Sequence, residues 1–141
     1  PNVENHITGS VRQLCKAAED ECLRLGYEPH FLTASLTCEA REAGSFLASI
    51  ARDHIRDGKA QAYICGGETV VHLTGKGLGG RNQELALSAA EGIAGLNNVL
   101  LFVLYWLYFN FTSPPSSSNI ALIAFASAKV TSCLRITGTV L

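Results

Sequence analysis

Residues 70–92 read VVHLTGKGLGGRNQELALSAAEG, and the organisation of the chain turns on this stretch. An apolar run stops at Thr74. Gly75, Gly77, Gly79 and Gly80 follow, interleaved with Lys76 and closed by Arg81. An Ala/Leu-rich segment then begins at Asn82. The pattern predicts a strand over 69–74, a glycine-rich hinge, and a helix from Asn82 to about Ala94. Glycines let a backbone approach a ligand closely. The unpaired N–H groups of a helix start, with the helix dipole behind them, favour an anion. Arg81 can add a two-pronged contact to phosphate or carboxylate, and Lys76 a point charge. The competing reading is a flexible turn with solvated cations and Asn82 as an ordinary N-cap.

Two nucleotide motifs come close without being met. Gly75, Gly77 and Gly80 satisfy the spacing GxGxxG, but the acidic residue due about 20 positions on is missing. From Gly75 the stretch also has phosphate-loop spacing, yet Arg81 and Asn82 stand where Lys and Ser/Thr belong.

Outward from the hinge, strand-like and helix-like segments alternate. Val11, Leu14, Cys15, Ala18, Cys22 and Leu25 recur at helical spacing, with Ser10 as N-cap and Gly26 as stop. Residues 30–36 read as a strand. Thr37 caps a second helix running to about Asp57, with Ala40, Ala43, Phe46, Leu47, Ile50 and His54 on one stripe. Residues 61–65 form a further strand ended by Gly66-Gly67, which places the 69–74 strand in a local antiparallel pair. Residues 3–10 suggest a short strand and turn. NNVLLFVLYW, 97–106, suggests a strand buried on both faces. The expected fold is therefore α/β: a layered domain with a mixed, largely parallel sheet flanked by helices.

Composition bounds the function. The chain has 141 residues, enough for one domain with a real core, and a net charge of −1. That balance gives no reason to expect nucleic acid. The cysteines at 15, 22, 38, 65 and 133 are odd in number and form no CxxC, so neither a disulfide framework nor a zinc knuckle is indicated. A reducing, cytoplasmic setting fits, and no secretory leader is visible. The apolar run from Val99 to Phe109 stops well short of the ~20 residues that span a membrane. His6, His30, His54 and His72 lack ligand spacing and read as structural, His72 being the one nearest the hinge. No metal site is expected. No serine sits in a GxSxG elbow.

The block CGGETVVHLTGKGLGGRNQELALSAAEGI, 65–93, resembles the signature of the MOFRL domain, the C-terminal domain of the glycerate 2-kinases, also labelled hydroxypyruvate reductases. Residues 25–44 resemble that family's lead-in, with Cys38 where glycine is usual. The resemblance covers residues 1 to about 102 and is most specific over Gly79–Glu84. It implies a two-domain enzyme that moves the γ-phosphoryl of ATP to the 2-hydroxyl of D-glycerate, with Mg, in a cleft between a Rossmann-like domain and the MOFRL domain. It implies that Gly66, Gly67, Glu68 and Thr69 form a cleft-facing turn. Lys76, Gly77, Gly79 and Gly80 would lead to Arg81 in a loop that meets substrate or phosphate. Arg81 would stabilise charge on the transferring group, and Asn82 and Glu84 would orient loop or substrate. The residues themselves also allow Glu68 to be a surface carboxylate paired with a nearby cation.

The chain then leaves the family pattern. All charged residues except Lys129 and Arg135 lie before residue 92, and no acidic residue follows Glu91. Where the family continues with a glycine- and aspartate-rich block, this chain reads VLYWLYFNFTSPPSSSN. The larger N-terminal domain is not in this sequence. Residues 1–102 are thus expected to be a MOFRL-like region. Residues 103–141 are expected to be a divergent apolar tail with a Pro/Ser linker at 112–118, arising from an altered frame, splicing or a gene-model error. The functional expectation is a C-terminal piece of a glycerate 2-kinase, inactive alone, with the kinase domain or a full-length homologue as partner and glycerate and nucleotide as ligands. A non-catalytic binding or assembly module and an NAD(P)-dependent hydroxypyruvate reductase are the alternatives.

Overall fold

A computed structural model describes residues 10–77, 79–105 and 120–126, with backbone only from 104 onward. The short strand expected before Ser10, the aromatic run from Trp106 and the linker at 112–118 lie outside the described residues. The elements are α1 (Val11–Arg24), β1 (Glu28–Leu36), α2 (Ala40–His54) with a 3-10 turn (Ile55–Asp57), β2 (Gln61–Gly67), α3 (Arg81–Ile93), β3 (Val99–Tyr105) and β4 (Ile120–Ala126).

α1 starts where the sequence says it should. The Ser10 hydroxyl accepts from the Gln13 N–H at 3.2 Å, and the Gln13 side chain accepts from the Ser10 N–H at 2.9 Å. This reciprocal box satisfies two of the N–H groups that a helix start leaves open. Gly26, at φ +83°, turns the chain out of the helix. α2 differs from expectation. Its N-cap is Glu39, not Thr37, and no side chain caps it. The Ala40 N–H is satisfied from a distance instead, donating to the Val70 carbonyl at 2.8 Å.

The sheet has the order β1-β2-β4-β3, and every pairing is parallel. The expected antiparallel pair does not form. Residues 69–74 are not a strand: Val70 makes one isolated parallel bridge to Glu39, with its N–H on the Cys38 carbonyl at 3.2 Å. β2 instead continues through Gly66 and Gly67, all seven of its residues buried. Gly67 sits at φ +151°, and a Cβ there would lie 2.3 Å from the backbone N and O of Leu36. Only glycine permits strands that close. β4, from the region read as a tail, lies between β2 and β3 in register Gln61↔Ile120 and Val99↔Ile120.

Alternation along β2 divides the core. Tyr63 and Cys65 face one layer with α2, α3, Val99 and Leu101. Ala62 and Ile64 face the other with Cys15 and Cys22 of α1 and the partly buried Phe102. Each wholly buried large side chain, such as Leu47, Ile64 and Leu85, contributes about 1.5–3 kcal/mol. α2 and α3 run in the same direction at close range, as Gly44 against Leu85 and Ala48 against Gly92 show. The Ser88 hydroxyl donates to the Arg41 carbonyl at 2.7 Å, and Arg52 Nη1 to the Gly92 carbonyl at 2.9 Å. This packing sets the direction of α3, and therefore where its first residues point.

Candidate functional site

In a parallel open sheet, ligands bind beyond the carboxyl ends of the strands. Here those ends are Leu36 and Gly67, and the chain leaving Gly67 is stitched to the chain leaving Leu36. The Glu68 N–H donates to the Leu36 carbonyl at 2.7 Å, and Val70 exchanges hydrogen bonds with Cys38 and Ala40. Thr69, between them, is 2% exposed, and its Oγ1 has no hydrogen-bond partner.

The loop that leaves Val70 joins α3 at Gly80, with Leu73 82% exposed. Gly80 is the N-cap of α3, in an extended conformation and with no side-chain cap. The first helical residue is Arg81, so Asn82 is not the N-cap. Arg81 turns back across the loop: its Nη1 donates to the Thr69 carbonyl at 3.1 Å and pairs with Glu68 Oε1 at 3.0 Å. One guanidinium thus ties the start of the loop to its end. On the following residue, Asn82 Oδ1 is buried without a partner. Such a group costs about 1–3 kcal/mol in an isolated chain, and two of them flank this clamp in sequence.

A groove of about 600 Å³ lies between the loop and α3. Gly75, Gly77, Gly79 and Gly80 line it with Gln83, Glu84 and Arg41, among others. Glu84 in the first turn complements the positive end of the helix.

The structure therefore divides the expected site in two. Glu68, Thr69 and Arg81 come together, with Asn82 following in the chain. Gly77, Gly79, Gly80 and Glu84 line the groove. Lys76 is exposed, and neither it nor Arg81 lines that groove. Gly66 and Gly67 are the buried end of β2 and not a cleft-facing turn. Arg41 was not foreseen. Its signal in the sequence was a cation in the first turn of a helix that follows a strand, the same edge of the sheet as Arg81.

The glycines do not form a dinucleotide turn. That motif needs a strand to pass directly into a helix through a tight turn. Here β2 ends at Gly67 and α3 begins at Arg81, so Gly75, Gly77 and Gly80 lie within a long loop. Among the described residues, Cys22 and Cys65 are not poised as nucleophiles. Burial pushes Cys65 up to about 12 and Cys22 up to about 11, which keeps both protonated. The described residues bring no three metal-ligating side chains together, and none of their helices is long and apolar enough to cross a membrane.

Residues 61–105 match the MOFRL family. They are a MOFRL-family segment. The match takes in β2, the loop, α3 and β3, and so the whole of the clamp and most of the groove. A D-glycerate 2-kinase of Thermotoga maritima is 49% identical over 104 residues, which is 71% of this chain and 25% of that protein. A glycerate 2-kinase of Pyrococcus horikoshii is 38% identical over 106 residues, 72% of this chain and 24% of its own length. The crystal structure of a glycerate kinase from Thermotoga maritima superposes with a TM-score of 0.63 at 48% identity, over 68% of this chain and 24% of that one. The chain spans about a quarter of the length of these relatives.

Proposed function

We propose that this chain supplies the MOFRL part of a glycerate 2-kinase-like phosphotransferase and holds one side of its anionic substrates. One observation carries the reading: a chain 49% identical over 104 residues to a D-glycerate 2-kinase has a guanidinium and a helix start at the carboxyl edge of its parallel sheet. Phosphoryl transfer asks a protein mainly to position its reactants and to offset their charge. Arg81 is suited to hold an oxyanion, whether the glycerate carboxylate or a phosphate oxygen of ATP. The unpartnered Thr69 hydroxyl is suited to donate to such an oxygen, and Asn82 Oδ1, on the residue after Arg81, to accept from a glycerate hydroxyl.

Magnesium, which the donor phosphates would bring, finds no fitting donor set in the described residues: Glu68 is engaged by Arg81, and no carboxylate trio is present. The remaining catalytic groups, including any metal ligands, would come from the kinase domain, and the chain alone is proposed to be inactive. Val70, Leu73 and Leu87, all more than half exposed around the loop and groove, are suited to be covered by that domain. The free, reduced thiols at 15, 22, 38 and 65 suit the cytoplasm.

The test is a chimera. The segment of this chain that aligns with the Thermotoga enzyme replaces its counterpart there, and ATP-dependent phosphorylation of D-glycerate is measured. The proposal expects turnover in the chimera and none in the chain alone. A folded chimera that binds neither ATP nor glycerate would reject it.

A further inference from the structure

We propose that Glu68 is a built-in competitor for the anion that Arg81 receives, so that ligand binding is an exchange of one carboxylate for another oxyanion. The inference rests on the reading of Arg81 given above and assigns Glu68 a role opposite to that of a ligand-binding residue.

Three observations carry it. First, Glu68 Oε1 lies 3.0 Å from Arg81 Nη1, the position in which a ligand oxygen would be held. Second, the two ends of the pair differ in freedom. The Arg81 side chain is 22% exposed and also bonds the Thr69 carbonyl, whereas the Glu68 side chain is 57% exposed. The backbone of Glu68 is fixed on Leu36, so its carboxylate can swing into water while the main chain and the Arg81–Thr69 bond stay in place. Third, the pair leaves its neighbours unsatisfied. Thr69 Oγ1 and Asn82 Oδ1, each on the residue following a member of the pair, are buried without partners. Of the two, the Thr69 hydroxyl can donate to an anion's oxygen, whereas Asn82 Oδ1 only accepts and would need an O–H of the ligand.

The exchange sets a threshold. A part-exposed ion pair is worth about 0–1 kcal/mol, so displacing Glu68 weakens ligand binding by a factor of up to about five. The penalty falls equally on every ligand that takes the Arg81 position, so it raises the concentration needed for binding without choosing between anions. Between ligands, the pair also keeps the loop start tied to α3.

The experiment uses the whole chain and inorganic phosphate as the probe. Amide shifts of Gly75 to Asn82 and the Arg81 Nε–H signal are followed by NMR during titration. Glu68→Gln keeps the shape and removes the competing charge; phosphate should bind it about two- to fivefold more tightly than the parent. Glu39→Gln is the control, since it removes one negative charge from the residue whose backbone bridges to Val70. It should change the affinity less than Glu68→Gln. Arg81→Ala should abolish the saturable shifts. Equal affinities for Glu68→Gln and the parent, or an equal gain from Glu39→Gln, would overturn the competitor role and leave the anion site standing. No saturable shift in the parent or in Glu68→Gln would overturn both.

Discussion

Gly67→Ala is the substitution for which the geometry makes the firmest demand. Two costs arise independently. The backbone at Gly67 has φ +151°, where an L side chain is strained by about 1–3 kcal/mol. The added methyl would also lie 2.3 Å from the N and O of Leu36 and 2.7 Å from its Cα. These are backbone atoms of a neighbouring strand, so no side chain can rotate out of the way. Overpacking of this kind costs about 1–3 kcal/mol. The two together predict a loss of about 2–6 kcal/mol, a large share of the ~5–15 kcal/mol that holds a domain folded. With a urea dependence of about 2 kcal/mol per molar, the midpoint should fall by about 1–3 M. Gly77→Ala is the matched control, because nothing lies within 4 Å of a Cβ there and its backbone is not in the left-handed region. It should move the midpoint very little. Urea unfolding followed by far-UV circular dichroism measures both. A Gly67→Ala midpoint within ~0.3 M of the parent, equivalent to roughly 0.6 kcal/mol, would refute the account of why β2 ends in glycine.

Other perturbations separate folding from ligand binding. Thr69→Val replaces a buried hydroxyl that has no partner, so the isolated chain should be as stable as the parent or more so, by up to about 1 kcal/mol, while phosphate affinity falls; melting curves and the NMR titration read the two effects. Ser10→Ala removes the hydroxyl half of the α1 box and should cost about 1 kcal/mol in the same urea assay, with no change in phosphate affinity. Among the described cysteines, iodoacetamide followed by peptide mapping should label exposed Cys38 first. Cys22 and Cys65, with thiols pushed up to about 11 and about 12 by burial, should stay protonated through the neutral range and react only on unfolding.

What the sequence revealed was local, and what it hid was long-range. The start of α1 was legible because the Ser10–Gln13 box lies within one turn. α3 was placed to within a residue, since its Ala/Leu pattern and the glycines before it are contiguous. The 69–74 run was misread as a strand because its hydrogen bonds go to Cys38 and Ala40, far back in the chain. Gly66-Gly67 looked like a turn, although the need for glycine at 67 comes from Leu36 on another strand. Glu68 was read either as a ligand-binding residue or as a carboxylate beside some cation. That the cation is Arg81 follows only from the path of the loop. β4 escaped notice because residues 120–126 carry no charge pattern and follow a stretch unlike the family, yet their backbone sits between β2 and β3.

The most direct measurement is the rate of D-glycerate phosphorylation by the chimera with Arg81 intact and with Arg81→Ala. If the guanidinium at the start of α3 offsets charge on the reacting groups, turnover should fall by about 10²-fold or more while the melting temperature moves by only a few degrees. Equal turnover in the two proteins would contradict the account.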